Sequence, residues 1–317
     1  MKEKAEKKTD KKDIKRNEGY NEEPKNEPKN EQGLTEAEFL ASYKPGNYER
    51  PSNTVDMLLF TVDDKHLQDV RKDTEKELKI LLIKRKNHPD IHKWALPGGF
   101  VNIDENLDTA AYRELEEETG ISNVYMEQLY SFGDVHRDKR MRVISIAHMA
   151  LISGKQVKPK AGDDAEEVAW FSVEKQFISD YEEQLILRNE ELDLCYVYKV
   201  KRMVKKNGVV SVSIPSISAT EENNKIAFDH IEIINMGIER LRNKVEYMPI
   251  AFNLVPEKFT LNDIQKVYEV ILGKKLVKQN FRKWIDRFVE ELDEKQEDVG
   301  HRPATLYKYK EKHIEML

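Results

Sequence analysis

Five residues separate Gly99 from Glu105, and seven more lead to the run Arg113-Glu114-Leu115-Glu116-Glu117-Glu118-Thr119-Gly120-Ile121. Glu114, Glu117 and Glu118 stand at i, i+3 and i+4, so a helix projects their carboxylates from one face. Left unpaired, three such charges repel. A hard divalent cation such as Mg²⁺, which takes oxygen ligands and completes its shell with water and phosphate, explains why they would be assembled. Because 35% of the chain is Asp, Glu, Lys or Arg, a solvated acidic face is the competing reading of Glu116-Glu117-Glu118 alone. The ends of the segment favour the chemical reading. Leu96-Pro97-Gly98-Gly99-Phe100 supplies a loop ahead of the helix, and Gly120 occupies the position after it that favours glycine.

The elements that must position this helix read as strands. Val55–Val62 and Leu78–Lys84 are short runs of branched and aromatic residues separated by a polar stretch, and Trp94–Leu96 leads into the glycine loop. Further strands are predicted at Tyr125–Phe132, Val143–Ile152 and Glu167–Phe171. Leu194–Lys201 and Val209–Ile214, joined near Asn207-Gly208, carry the signal of a hairpin, here an insertion of about 194–214. A helix from Phe228 to Val245 closes this part. Strands with few intervening helices argue for an α/β sandwich over a doubly wound sheet.

At 317 residues the chain has room for two domains, each able to bury its own core. The hydrophobic fraction of 39% and mean hydropathy of -0.73 are low partly because residues 1–33 mix Lys, Glu and Asn and repeat Glu-Pro-Lys-Asn, a composition that predicts disorder. Leu34–Pro51 holds Phe39, Leu40, Tyr43 and Tyr48, enough apolar surface for a short docking helix or arm. Without an apolar segment after the basic start, or any run of about 18 apolar residues, secretion and membrane spanning lack support and a cytoplasmic location is expected. One cysteine, Cys195, excludes an intrachain disulfide and a thiolate metal cage.

Residues 247–317 read as a second domain, with residues 34–246 as the first. Thr260, with Asp263 three positions on, marks a helix start; Leu261, Ile264, Val267, Tyr268 and Ile271 keep helical spacing to Gly273. A second helix is expected to turn Phe281, Trp284, Ile285, Phe288 and Leu292 inward and Lys274, Lys275, Lys278, Arg282, Lys283 and Arg287 outward. Arg302–Tyr309 follows as a strand or wing. Two helices, a turn and a wing look like a winged helix-turn-helix able to enter a DNA major groove, with a helical packing module as the alternative.

The Gly99-to-Ile121 spacing resembles the Nudix box. Arg85–Pro89, Lys93–Val101, Gln128–Asp134, Arg137-Asp138, Arg142–Ser145 and Ala227–His230 are similar to ADP-ribose-recognising Nudix proteins; with Phe259–Leu261, Asn280–Arg282 and Arg302–Tyr307 they resemble Nudix-related transcriptional regulators of NAD metabolism and their hydrolase relatives. The resemblance implies a mixed sheet flanked by helices, an α/β/α sandwich, followed by the winged helix. It implies that Glu114, Glu117 and Glu118 ligate Mg²⁺ or Mn²⁺, that Arg113 orients the cluster, and that Glu105 is an accessory ligand or orienting group. Gly98 and Gly99 allow close backbone approach, and Arg85, Phe100, Arg137 and Arg142 are expected to meet substrate. Asp163, Asp164, Glu166 and Glu167 are loop candidates for the general base, which stays unassigned. His92 departs from the pattern, which has glycine there.

The intact box favours a metal-dependent hydrolase converting ADP-ribose to AMP and ribose 5-phosphate. The alternative is a DNA-binding regulator for which ADP-ribose is the signal. The tentative DNA contacts are Lys274, Lys275, Lys278, Arg282 and Lys283, and family likeness implies a homodimer.

Overall fold

The structure is a computed structural model that describes residues 27–44, 46, 49–65, 75–154, 165–221, 225–296 and 303–310. Most of the polar tail, together with Tyr48, Asp163, Asp164 and Arg302, lies outside the described residues. The chain divides into two units, 1–49 and 50–317. In the first, helix α1 (Glu36–Ser42) is opened by a capping box in which the Thr35 hydroxyl accepts from the Glu38 N–H and the Glu38 carboxylate accepts from the Thr35 N–H.

In the second unit β1 (Ser52–Asp64), β2 (Lys76–Arg85), β3 (Trp94–Ala95) and β4 (Gly98–Phe100) precede α2 (Leu107–Thr119), the acidic helix. Then come β5 (Tyr125–Phe132), β6 (Val143–Leu151), β7 (Ala165–Ser179), β8 (Glu182–Asn189), β9 (Leu194–Asn207), β10 (Val210–Ala219) and α3 (His230–Lys244). The sheet runs β10-β9-β8-β7-β2-β1-β6-β5, with β3 on β2 and β4 on β1. The central β1–β6 pair is parallel, the pairs flanking it are antiparallel, and the sheet is therefore mixed.

Strand β1 shows why two layers of helix are needed. Successive side chains alternate faces: Val55, Met57 and Leu59 join Ala110, Ala111 and Leu115 of α2 in one apolar cluster. Leu58, Phe60 and Val62 join Ile234, Ile238 and Leu241 of α3 in the other. Burying a side chain such as Leu115 contributes about 1.5–3 kcal/mol. At Gly237 a Cβ would fall 2.1 Å from Leu58 Cδ2, so α3 rests directly on the sheet.

The expected hairpin at about 194–214 is larger than its sequence signal. Strands β8, β9 and β10 form a three-stranded extension whose first member carries no such signal, and β7 continues to Ser179 to pair with it. The reason is pairing: Phe177 is mostly exposed and offers little burial signal, but its backbone is matched by Glu183.

A 3-10 turn (Ile250–Leu254) leads to α4 (Leu261–Leu272) and α5 (Lys278–Ile285), followed by the wing, β11 (Val289–Lys295) paired with β12 (Thr305–Tyr309). Thr260 and Asp263 form the capping box at the head of α4, and Gly273 ends it at φ 66°. The second helix is shorter than its apolar spacing suggests. After Ile285 a 3-10 turn carries Phe288, and Leu292 belongs to β11, where cross-strand pairing with β12 displaces helical continuation. Nor does this domain keep a separate core: Val267, Tyr268 and Ile271 belong to the same apolar cluster as Leu58 and Leu241. No helix among the described residues is long and apolar enough to cross a membrane.

Candidate functional site

Helix α2 lies against the sheet through Ala110, Ala111 and Leu115, which turns Glu114 and Glu118 inward as well. The Arg113 guanidinium organises the acids around it. It donates to both oxygens of Glu105 at 3.0 and 2.6 Å, to Glu114 at 2.7 Å, to Glu117 at 2.9 Å and to the Phe100 carbonyl at 3.2 Å. The bidentate geometry matches what a planar fork permits and a lysine does not. These bonds from Arg113 lower the Glu105 carboxyl to about 2. Burial pushes Glu114 the other way, up, against the pull of Arg113.

The glycine pair has two separate jobs. At Gly98, φ is 155° and a Cβ would sit 2.1 Å from the Val55 carbonyl oxygen, so the backbone of β4 passes too close to β1 for any side chain. At Gly99 a Cβ would sit 2.3 Å from Glu114 Oε1: this position is the cradle of the Glu114 carboxylate.

Glu118 lines a cavity of about 210 Å³ together with Arg85, Gly98, Gly99, Phe100, Arg137, Phe228 and His230 among others. Of the residues expected to meet substrate, Arg85, Gly98, Gly99, Phe100 and Arg137 are brought together here. Arg142 is not. Its guanidinium donates to the Gly133 and Asp134 carbonyls at 2.8 and 2.9 Å and holds that loop, while Arg140 lines the cavity.

Two stacked pairs border the cavity. The Arg85 guanidinium lies 4.8 Å from the centre of the Phe228 ring, and that of Arg140 lies 5.5 Å from the centre of Phe100. Behind them lies a buried polar network. Arg137 donates two bonds to Asp229, at 2.9 and 2.7 Å, and one to Asp56 at 3.3 Å; the Ser145 hydroxyl also donates to Asp56. The Leu96 N–H donates to His230 Nδ1 at 2.9 Å, while His230 Nε2 stands 3.6 Å from Asp56. Burial lowers the pKa of His230.

Sequence reading assigns no role to Asp56, Arg140, Asp229 or His230. One signal is present: Asp56 is a lone carboxylate inside the apolar run Val55–Val62, and acids on a buried strand persist when paired. Arg140 carries no such mark, since Arg137, Arg140 and Arg142 are equally plausible on composition and only loop geometry separates them.

Of the acids expected on a loop, Glu166 and Glu167 lie instead on β7, where Glu166 pairs with His92 at 2.8 Å and Glu167 with Lys84 at 3.5 Å, and neither lines the cavity. His92 occupies the left-handed region at φ 62°, the physical reason for expecting glycine at that position.

The donor chemistry of Glu114, Glu117 and Glu118 suits a hard cation, being all carboxylate oxygen on adjacent turns. Among the described residues, no three His, Cys, Asp or Glu side chains already converge as a metal-holding group. Arg113 supplies the positive charge beside Glu114 and Glu117.

The basic residues of the C-terminal region split between two clefts. Lys278 and Arg282 line one that also contains Asp63, Asp64 and Thr260. Lys274 and Lys275 line another, where Lys275 pairs with Glu269 at 3.1 Å, and Lys274 approaches Glu246 at 4.0 Å. Lys283 lines neither cleft, and the single outward face expected for these residues is divided between Lys274 and Lys275 on one side and Lys278 and Arg282 on the other, because Gly273 turns the chain between α4 and α5.

Residues 70–185 match the NUDIX domain, and residues 251–309 match the NrtR DNA-binding winged helix domain. The ADPR responsive transcriptional repressor NtrR of Acinetobacter baylyi is 33% identical over 278 residues, spanning 87% of this chain and 88% of the repressor. An ADP-ribose pyrophosphatase of Methanocaldococcus jannaschii is 44% identical over 99 residues, spanning 31% of this chain and 57% of that enzyme. Among solved structures, a MutT/nudix family protein from Enterococcus faecalis superposes with a TM-score of 0.63 at 30% identity, covering 87% of this chain and 94% of the other. The NrtR of Shewanella oneidensis, complexed with a 27mer DNA, gives a TM-score of 0.56 at 28% identity over 81% of this chain and 93% of its own. This chain therefore belongs to the NrtR family, in which a Nudix domain is joined to a C-terminal DNA-binding winged helix domain.

Proposed function

We propose that this protein is a DNA-binding regulator whose signal is ADP-ribose or a closely related nucleoside diphosphate, taken up in the cavity between Arg85, Arg137 and Phe228. The observation that carries this reading is that α3, whose first residue His230 lines the cationic, aromatic cavity, shares one apolar cluster with the winged helix through Ile234, Ile238 and Leu241, so a ligand in the first is mechanically joined to the second. Arg85 and Arg140, held over aromatic rings, bring positive charge to a diphosphate, with Arg140 positioned by Asp138 through Nε and Nη2, and the rings offer flat apolar surface to a base. On the DNA side Lys278, Arg282 and Lys283 would meet phosphates, with the chain acting as a homodimer in the cytoplasm.

The test uses a random-sequence duplex pool and the whole chain. Enrichment of particular duplexes, released by ADP-ribose and by salt, is expected; a pool that never enriches, or bound duplex indifferent to ADP-ribose, overturns the reading.

A second reading, slow hydrolysis of the ligand to AMP and ribose 5-phosphate, is favoured by the complete set Glu105, Arg113, Glu114, Glu117 and Glu118. Glu114, Glu117 and Glu118 would hold Mg²⁺ or Mn²⁺, which when bound supplies charge neutralisation at phosphate and acidifies water. Arg113 keeps the Glu114 and Glu117 carboxylates in register, Gly99 leaves room for Glu114, and the cavity orients the diphosphate beside Glu118. AMP release from ADP-ribose with Mg²⁺ is expected to vanish in Glu117→Gln with the fold intact; equal turnover in that variant removes this reading.

A further inference from the structure

We infer that α3 relays the state of the cavity to the winged helix, with Arg137 as the ligand-sensitive grip on its head and Arg242 as the contact that delivers its tail. This inference rests on the ligand-responsive reading above and names the residues through which the response would travel.

The head of α3 is the floor of the cavity. Phe228 lies under Arg85, His230 Nδ1 accepts from the Leu96 N–H beside the glycine strand, and Asp229 occupies the cap position of the helix itself. Asp229 is held by two bonds from Arg137, whose guanidinium also reaches Asp56 and whose side chain is 5% exposed. One fork thus serves two carboxylates. A phosphate entering the cavity is a third anion for the same donors, because Arg137 lines that space. Nε and Nη2 carry the bonds to Asp229, and Nη2 also carries the one to Asp56; a phosphate that draws the guanidinium towards itself therefore strains its hold on Asp229, the start of α3.

The 15 residues of the helix carry that change about 22 Å at 1.5 Å per residue. Its middle is seated: Gly237 meets Leu58 with no room for a Cβ, which makes this contact a fulcrum on β1. At the far end Arg242 Nε donates 3.0 Å to the Ile271 carbonyl, in the last turn of α4. Arg242 also packs against Gly273, where a Cβ would lie 3.3 Å from its Nη2. A cation at a helix C-terminus binds the exposed carbonyls of that turn, and Gly273 is where the chain turns from α4 towards α5. The apolar residues Leu241 and Val245 share a cluster with Ile271 and Phe281, so the tail of α3 and the two helices of the DNA-binding domain are packed together. Head, fulcrum and tail form a contiguous physical path whose two ends touch the two sites.

Amide hydrogen exchange of the whole chain, with and without ADP-ribose, tests this alongside calorimetry of the same ligand. In the wild-type protein, ADP-ribose slows exchange at Phe228–Ile231 and alters it at Ile271–Leu276 by about fivefold or more, the lower end of ordinary coupling. Arg242→Met keeps the first effect and an affinity within about twofold, since its site is distant from the cavity, but loses the second. Arg242→Lys, which preserves the charge and the stem, retains part of it and guards against a folding defect in the methionine variant. A response at Ile271–Leu276 that survives in both variants, or that is missing from the wild-type protein while Phe228–Ile231 is protected, overturns the relay. Absence of both protection at Phe228–Ile231 and calorimetric heat instead sinks the ADP-ribose reading beneath it.

Discussion

Two short charged helices, α2 and α5, use charge in opposite ways. In α2 the acids are committed before any ligand arrives: one guanidinium binds Glu105, Glu114 and Glu117 within 3.0 Å, and Glu114 is cradled by Gly99. In α5, Lys278, Arg282 and Lys283 are exposed and make no ion pair among the described residues. The first arrangement spends its interactions on fixing geometry, as a site for one small, highly charged group requires. The second leaves its cations solvated and adaptable, as contact with a repeating phosphate backbone allows. Charge density alone does not separate these uses; partners do.

The contrast can be broken most severely at Gly99→Ala. The added methyl collides with the buried Glu114 carboxylate, and a loss of about 3 kcal/mol in urea denaturation is expected, the upper range for overpacking. An unchanged midpoint would mean that the α2 network is loose after all. Next comes the triple replacement of Lys278, Arg282 and Lys283 by Ala. Its stability should stay within about 0.5 kcal/mol, while affinity for selected duplex falls about 100-fold and the slope against log salt flattens by roughly one for each phosphate no longer neutralised. A stability loss matching that of Gly99→Ala would show that these cations are structural.

Arg113→Lys keeps the charge but not the fork, and a loss of about 1–2 kcal/mol is expected after discounting for the exposure of Glu117; thermal melting at two salt concentrations measures it. The smallest effect is in pH. Burial lowers the pKa of both His148 and His230 from 6.5. Below pH 6.5 the unfolded imidazoles take up protons before the folded ones do, so the unfolded state binds more protons and stability falls as pH falls through that window. His148→Gln should shallow this acid slope, and melting between pH 7.5 and about 5 measures it. An identical slope in the variant would place the acid sensitivity elsewhere.

Much of the fold is legible in the sequence because its signals are local. The caps at Thr260 and Gly273, the branched and aromatic run Val55–Val62 and the Asn207-Gly208 turn each depend on residues a few positions apart. The misses are contextual. Strand β8 has charged neighbours and a half-buried pattern, and it is a strand because β7 and β9 lie on either side of it. The second C-terminal helix keeps apolar spacing through Phe288 and Leu292, yet pairing with Tyr307 and Tyr309 takes that stretch into the wing.

The candidate site divides in the same way. The helical repeat alone puts Glu114, Glu117 and Glu118 on neighbouring turns, with Arg113 within reach of Glu117, since covalent spacing sets those distances once a helix forms. Glu105 lies on the same network because the intervening loop returns it to Arg113, as the family pattern implies. Nothing local can tell Arg140, at the cavity, from Arg142, tied to the Gly133 and Asp134 carbonyls.

By itself, then, the sequence determined the carboxylates available along α2 and the first helix of the winged domain, which follow from spacing over a few turns, and its resemblance to the Nudix pattern marked the box that carries them. Only the tertiary structure decided that Asp56, Arg137, Asp229 and His230 meet behind the cavity, from separate stretches of chain. It also decided that the basic residues around Gly273 face two clefts, and that α3 joins the cavity to α4. Those outcomes depend on strand order and on which helix lies across which sheet face, quantities set by the packing of the whole core and by no single segment.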